Sequence, residues 1–383
     1  MTAVSQDVVL VASAAQLEAA AAAWRNCPVL ALDTEFMRTD TFFPRLALVQ
    51  VAAREQVWLI DPLAVADLAP LAAMLVDPGV VKVLHSCSED LEVFQHALGC
   101  RPAPLYDTQV AAALTGHGFS LGYGALVQRL LGIELDKQET RSDWLQRPLS
   151  AAQLAYAAAD VHYLLPSYRQ LADAAERQGK NAWMAEEMER VLAQAAAVTP
   201  SCEQYRRVKG AGRLKRIELA ALRELAAWRD ERARASNRPR GHIVNDAELL
   251  VLAAARPRDR GALAALAELR PRVIREFGDA LLDAVAATAA LAPEDYPELL
   301  DQGPPERAAR ELIRACRDWL AERAAALGVA PEMLARRADL EALARAWLAG
   351  EARLPPALAG GWRQAVIGAE LLEFARAWSA AAP

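Results

Sequence analysis

Cysteine is scarce, and what there is stands badly for structural chemistry. Cys27, Cys87, Cys100, Cys202 and Cys316 are scattered over 383 residues, odd in number and never spaced as a zinc pair. That excludes a disulfide framework and points to free thiols in a reducing cytoplasm. No histidine pair has zinc-ligand spacing either, so no zinc is expected. Long apolar runs are also lacking. The longest alanine run, residues 19–23, is flanked by Gln16, Glu18 and Arg25. It is too short and too polar at its edges to span a bilayer, so no membrane is expected and the run reads as a surface helix. The first residues have no basic lead, and Asp7 sits where the apolar core of an export signal would begin. A P-loop is absent, which removes the commonest helicase and NTPase signature. Net positive charge is absent too: the balance is −6, which on average argues against a nucleic-acid binder.

What is present is enough for two or three domains of ordinary size. Hydrophobic residues make up 54% and charged residues 24%, a folding composition rather than a disordered one. Residues 8–11, 29–33, 46–51, 57–60 and 81–85 are short apolar or β-branched runs, read as strands. The close succession of the second, third and fourth predicts an antiparallel meander. Residues 61–76 have helical spacing and lead into the fifth run, as a crossover to a parallel strand requires. Beyond Leu121 strand signals stop and helical patterns take over. The fold class is therefore α/β, a mixed sheet flanked by helices, followed by all-α domains. The helical remainder repeats itself: Trp228-Arg229-Asp230-Glu231-Arg232 parallels Trp319-Leu320-Ala321-Glu322-Arg323, and residues 247–249 parallel 338–340 at the same offset. Two copies of one module follow. The expected domains are 1–200, 205–292 and 300–383.

The average charge hides an asymmetry. Residues 205–216 read YRRVKGAGRLKR, with six cations (Arg206, Arg207, Lys209, Arg213, Lys215 and Arg216) and no acid. Residues 229–240 hold five further arginines against Asp230 and Glu231. The second helical copy has lost most of these cations.

Three elements carry chemistry. In Val29-Leu30-Ala31-Leu32-Asp33-Thr34-Glu35-Phe36 the apolar residues make a buried strand, and period 2 sends Asp33 and Glu35 from one face. Two such carboxylates repel unless a cation sits between them, and hard divalent ions with oxygen ligands do that. In the second, a strand ends at His85, Ser86 and Glu89 are spaced as a capping box, and Asp90 falls in the first turn of a helix where the dipole favours an acid. In the third, Tyr156 and Asp160 are four apart on a strongly helical segment and so share a face. Alone, each has a plain structural reading: surface acids, a helix-start acid, a half-buried tyrosine.

Their order is more specific. D-x-E on a strand, H-x-x-x-x-D at a helix start and Y-x-x-x-D within a helix resemble the DEDD exonuclease superfamily, in its tyrosine branch. LALDTEF, KVLHSCSEDLEVF, YDTQVAA, TRSDWLQRPLS and YAAADVHYLL resemble the ribonuclease D family in particular, and the basic segment after Arg206 resembles its HRDC domain. The resemblance implies an RNase H-like catalytic fold with two HRDC-like domains. It implies two divalent ions, Mg2+ or Mn2+, held by Asp33, Glu35, Asp90 and Asp160, with Asp33 shared between them. It also implies 3′-to-5′ release of 5′-mononucleotides from precursor tRNA tails and other structured RNAs.

Tyr156 is expected to orient the attacking water, since a phenol with a pKa near 10 is a poor base at neutral pH. RNA contacts need cations and stacking faces. The candidates are Phe36, Met37, His85, Lys137, Arg141, Trp144, Arg147 and the six cations of residues 206–216, with residues 229–240 for longer-range binding. His85 has an equal claim to a structural place at its strand end. A monomeric enzyme is expected. Two rivals stand beside this reading: a DNA 3′-to-5′ exonuclease, and a catalytically dead RNA-binding scaffold, which as a rule would have lost a carboxylate.

Overall fold

The five strand runs all form strands, and a sixth joins them. In the computed structural model, which describes residues 8–135, 142–300 and 306–378, β1 (Val8–Val11), β2 (Val29–Met37), β3 (Arg45–Ala53), β4 (Gln56–Ile60), β5 (Val81–Leu84) and β6 (Leu105–Asp107) make one sheet in the order β1-β4-β3-β2-β5-β6. β2, β3 and β4 are the antiparallel meander. β1 runs parallel to β4, β5 to β2 and β6 to β5. Helices α1 (Ala14–Trp24), α2 (Ala69–Leu75) and α3 (Ser88–Leu98) follow β1, β4 and β5 and supply the crossovers that parallel pairing requires. The alanine run forms the surface helix expected of it, with Ala19, Ala22 and Ala23 exposed. It lies in α1, which buries Leu17, Ala20 and Trp24. β3 is buried at every residue after Arg45, as expected of a central strand covered on both faces.

The register of β2 on β3 slips once. Glu35 pairs with Leu48 but Phe36 pairs with Leu46, leaving Ala47 as an extra residue beside the carboxylate-bearing stretch. Such a bulge bends the strand and re-aims side chains.

The chain packs as two compact units. The first holds residues up to 37, 45–196 and 305 onward; the second holds 38–44 and 197–304. In the first unit the sheet is followed by α4 (Thr108–Leu114), α5 (Tyr123–Leu131), α6 (Ala151–His162), α7 (Leu164–Arg177) and α8 (Asn181–Ala196).

The second unit contains α9 (Arg216–Ala235), α10 (Arg240–Ile243), α11 (Asp246–Ala255), α12 (Arg260–Ala264) and α13 (Pro271–Ala287). Its core of Leu219, Leu222, Leu225, Leu249, Leu252 and Leu281 also takes in Phe42. The Phe42 ring lies under the guanidinium groups of Arg234 and Arg240, at 4.9 and 4.7 Å. The backbone N–H groups of Phe42 and Phe43 both donate to Asn237 Oδ1. Fully buried Asp230 accepts from Arg234 and Arg240, and buried Arg229 donates to Asp246 and to the Val244 carbonyl. Of the arginines of 229–240, Arg229, Arg234 and Arg240 are therefore tied into ion pairs of this unit, while Arg232 is exposed.

The repeat is visible in the helices. In the first unit α14 (Arg307–Leu327), α15 (Pro331–Leu334) and α16 (Arg337–Leu348) each start 91 residues after α9, α10 and α11. This second copy is built onto the nuclease part. Glu187 on α8, 1% exposed, accepts from the Arg363 guanidinium and from the Trp362 indole. Lys180 Nζ donates to the carbonyls of Leu114 and Gly328 and to Gln178 Oε1, so all three of its donors are used. Gly361 has φ +64°, and a Cβ there would collide with the Glu186 carboxylate, which accepts the Trp362 N–H.

Candidate active site

The period-2 expectation for β2 holds. Asp33, Glu35 and Asp160 each place a carboxylate oxygen within 4.8 Å of the others, the one group of three or more potential metal ligands among the described residues. This puts α6, which carries Asp160, over the face of the sheet from which Asp33 and Glu35 project. Thr34 alternates to the other side, where its hydroxyl donates to Asp90 in the first turn of α3. Asp90 is buried and lies outside the group of three, but its charge reaches Asp33 and Glu35.

Four acids so placed resist ionisation. Burial, then the charges of Asp90, Asp160 and Glu35, raise Asp33 well above the carboxylate range. Burial and the charges of Asp160 and Asp90 push Glu35 to about 8. Burial lifts Asp90 to about 7 against the Thr34 hydrogen bond, and Asp160 to about 7 against the hydrogen bond from Tyr156. An anionic cluster disfavoured by its own surroundings fits hard divalent cations with oxygen ligands. The Tyr156 phenol donates to Asp160; burial and the charges of Asp160 and Glu35 raise its pKa, so it stays protonated.

The residues holding this group were only partly legible in the sequence. The Ser86/Glu89 capping box does not form. Cys87 is the N-cap without a side-chain bond, and Ser86 takes φ +57°. Instead Asp107, at the end of β6, accepts from the N–H groups of Ser86 and Cys87, so a neighbouring strand fixes the start of α3. Tyr123 donates to the Ala159 carbonyl, one residue before Asp160.

Arg147 and Trp144 prove to be supports. Arg147 binds both Asp61 oxygens, the carbonyls of Trp144 and Gln146, and the carbonyl of Ala47, the bulge residue. Burial alone would raise Asp61, but the hydrogen bonds from Arg147 and from the Leu63 backbone hold it below its usual value. Trp144 is buried, its ring 6.0 Å from that of Tyr156. Arg147 thus uses its guanidinium donors on Asp61 and on the carbonyls that set the bulge and the approach to α6. His85 is likewise engaged at both ring nitrogens, by the Thr108 hydroxyl and the Leu121 carbonyl, which favours its structural reading. Phe36 and Met37 are half-buried at the end of β2. Lys137 and Arg141 lie outside the described residues. Of the six cations in 206–216, Arg206 pairs with Glu203 and Arg216 binds the carbonyls of Tyr296 and Pro297, while Arg207, Lys209, Arg213 and Lys215 are exposed.

Comparison with known proteins decides the family. Residues 8–176 match a family model described as 3′-5′ exonuclease, and residues 218–285 match that of the HRDC domain. Ribonuclease D of Pseudomonas paraeruginosa is 46% identical over 91% of this chain and 92% of its own. The Shewanella sp. ribonuclease D is 38% identical over 95% and 93%. The chain belongs to the ribonuclease D family. It is accordingly a 3′-to-5′ exoribonuclease, a phosphodiester hydrolase. The crystal structure of Escherichia coli RNase D superposes with a TM-score of 0.86 at 33% identity, covering 98% of this chain and all of that one. The catalytic core of RRP6 from Trypanosoma brucei, at 22% identity and a TM-score of 0.60, shares the fold. No helix among the described residues is long and apolar enough to cross a membrane.

Proposed function

We propose that this enzyme trims the 3′ ends of precursor tRNAs and other structured RNAs by two-metal hydrolysis, releasing 5′-mononucleotides. The observation that carries the reading is the convergence of Asp33, Glu35 and Asp160 with Asp90 beside them. The E. coli relative is described as an exoribonuclease involved in structured RNA processing, which supports the substrate class. When bound, two divalent cations supply charge stabilisation to the attacking and leaving oxygens and acidify a bound water. Asp33, Glu35 and Asp160 would hold them, with Asp90 completing the site from the other side of Thr34. Tyr156 keeps its proton, so it acts as a hydrogen-bond donor that orients the attacking water and does not act as its base. Phe36 and Met37, at the end of the strand that carries Asp33 and Glu35, are placed to meet the terminal nucleotide. Arg207, Lys209, Arg213 and Lys215 form the exposed basic surface for the RNA beyond the tail. Free cysteines support a cytoplasmic setting, and the enzyme is taken as a monomer.

Digestion of paired RNA and DNA oligomers of one sequence, labelled at either end and supplied with Mn2+ or Mg2+, tests this. Mononucleotides released from the 3′ label of RNA, and lost with Asp33→Ala, are expected. Equal digestion of DNA would overturn the RNA preference. Metal-independent release would overturn the site.

A further inference from the structure

Gln50 is the anomaly next to the carboxylates. It lies in the centre of β3, fully buried, yet neither its amide nitrogen nor its amide oxygen has a hydrogen-bond partner. Buried polar side chains almost always find partners, so one without any asks for a reason. Its register supplies one: Gln50 is directly opposite Asp33 across the antiparallel β2–β3 pair. Directly opposed residues share a face, with Cβ atoms about 4.5–5.5 Å apart. Gln50 therefore sits on the side of the sheet from which Asp33 and Glu35 project, with its amide within reach of the Asp33 carboxylate by side-chain rotation. Leu59, its neighbour on β4, is apolar and offers nothing to the amide.

We propose that Gln50 is a positioning residue for Asp33: when cations occupy the carboxylates, its otherwise unpartnered amide N–H turns to donate to the Asp33 carboxylate and holds that carboxylate toward Glu35 and Asp160. A polar group in this position orders a ligating carboxylate without itself ligating. The inference rests on the reading of the carboxylates as a metal site.

Mn2+ titration of the full chain, read by the electron paramagnetic resonance of the free ion, tests it together with thermal unfolding in EDTA. Gln50→Leu keeps the volume and removes the amide. It is expected to weaken Mn2+ binding by about tenfold, within the range seen when such supporting groups are lost. Its metal-free melting temperature should be equal to or above wild type, since no partnered group is lost. Gln50→Met gives the same comparison should leucine fail to fold. Mn2+ affinity within twofold of wild type overturns the proposal, whether or not the melting temperature falls; a fall with unchanged affinity marks a purely structural glutamine. A wild-type chain that takes up no Mn2+ overturns the metal-site reading itself, and the Gln50 proposal with it.

Discussion

The carboxylate cluster should make the metal-free enzyme more stable when one of its own members is removed. Glu35→Gln keeps the shape and hydrogen-bonding capacity of the side chain and deletes one charge. Glu35 is raised from 4.5 to about 8 by burial and by Asp160 and Asp90. At about 1.4 kcal/mol per pKa unit that shift sets a ceiling near ~5 kcal/mol for ionising the group in the folded state. The repulsion is shared with its neighbours and the side chain keeps some solvent, so about 2 kcal/mol is the working figure. The sign follows from the raised pKa. The stability associated with the protonated group is fully present below about 4.5 and is lost as pH rises toward 8. In EDTA the melting temperature of Glu35→Gln should thus match wild type near pH 4.5 and exceed it by about 3 °C at pH 8. Added Mn2+ should reverse the ranking at pH 8, because wild type gains binding energy that the variant has lost. Differential scanning fluorimetry at the two pH values is sufficient. A variant no more stable than wild type in EDTA at pH 8 would refute the claim that these acids are held together against their own repulsion.

Four other outcomes are expected. Tyr156→Phe should lower kcat by two orders of magnitude or more with Mn2+ affinity unchanged; a lost metal affinity would contradict its orienting role. Arg147→Met strands the Asp61 carboxylate and frees the Ala47 carbonyl, so it should cost about 2 kcal/mol, at the low end for a broken buried pair because Arg147 is partly exposed. Since Asp61 is held below its usual value, that contribution is present above the ordinary carboxylate pKa and fades as pH falls through the depressed one, which urea unfolding at pH 7 and pH 3 would show. Arg363→Met should destabilise the chain by about 3–5 kcal/mol, and adding Glu187→Met should recover part of it, because the two most buried charges go together and only the partly exposed Arg190 and the Trp362 indole lose a partner; a double variant as unstable as the single would speak against it. Alanine at Arg207, Lys209, Arg213 and Lys215 together should reduce the slope of log K against log salt by about 3 for tRNA-sized RNA, with turnover of short oligomers retained.

How much the sequence revealed depended on what each inference needed. The meander, the crossover strands and the face shared by Asp33 and Glu35 follow from local periodicity, and they form. β6 has only Leu105, Tyr106 and Asp107, too few for a pattern, yet its last residue anchors the start of α3. The carboxylates were legible because their order and the element each occupies are written along the chain. Their supports were not. Asp107, Tyr123, Trp144 and Gln50 reach the site through pairings of distant segments, and nothing local distinguishes them from ordinary core residues. Cations are legible in a sequence only as charge: nothing local shows that Arg234 and Arg240 meet the buried Asp230, or that Arg147 meets Asp61. The repeat of helical modules was visible at an offset of 91 residues, but not the packing of its second copy with the nuclease part.

The seven residues between β2 and β3 have a topological consequence. The chain enters the second compact unit twice, once through 38–44 and once through 197–304. Cutting the polypeptide near 198 and again near 304 would therefore not set that unit free as a complete body. The excised piece would leave Phe42 behind, still continuous with the strand that carries Asp33 and Glu35, and with it the ring under Arg234 and Arg240 and the partners of Asn237. The nicked protein should then behave as a noncovalent complementation complex, three fragments on a denaturing gel that elute together in native buffer. For the same reason a chain ending near residue 205 is not a minimal nuclease: it exposes Phe42 and strips α8 of Trp362 and Arg363. Loss of activity in such a truncation reports on folding before it reports on RNA.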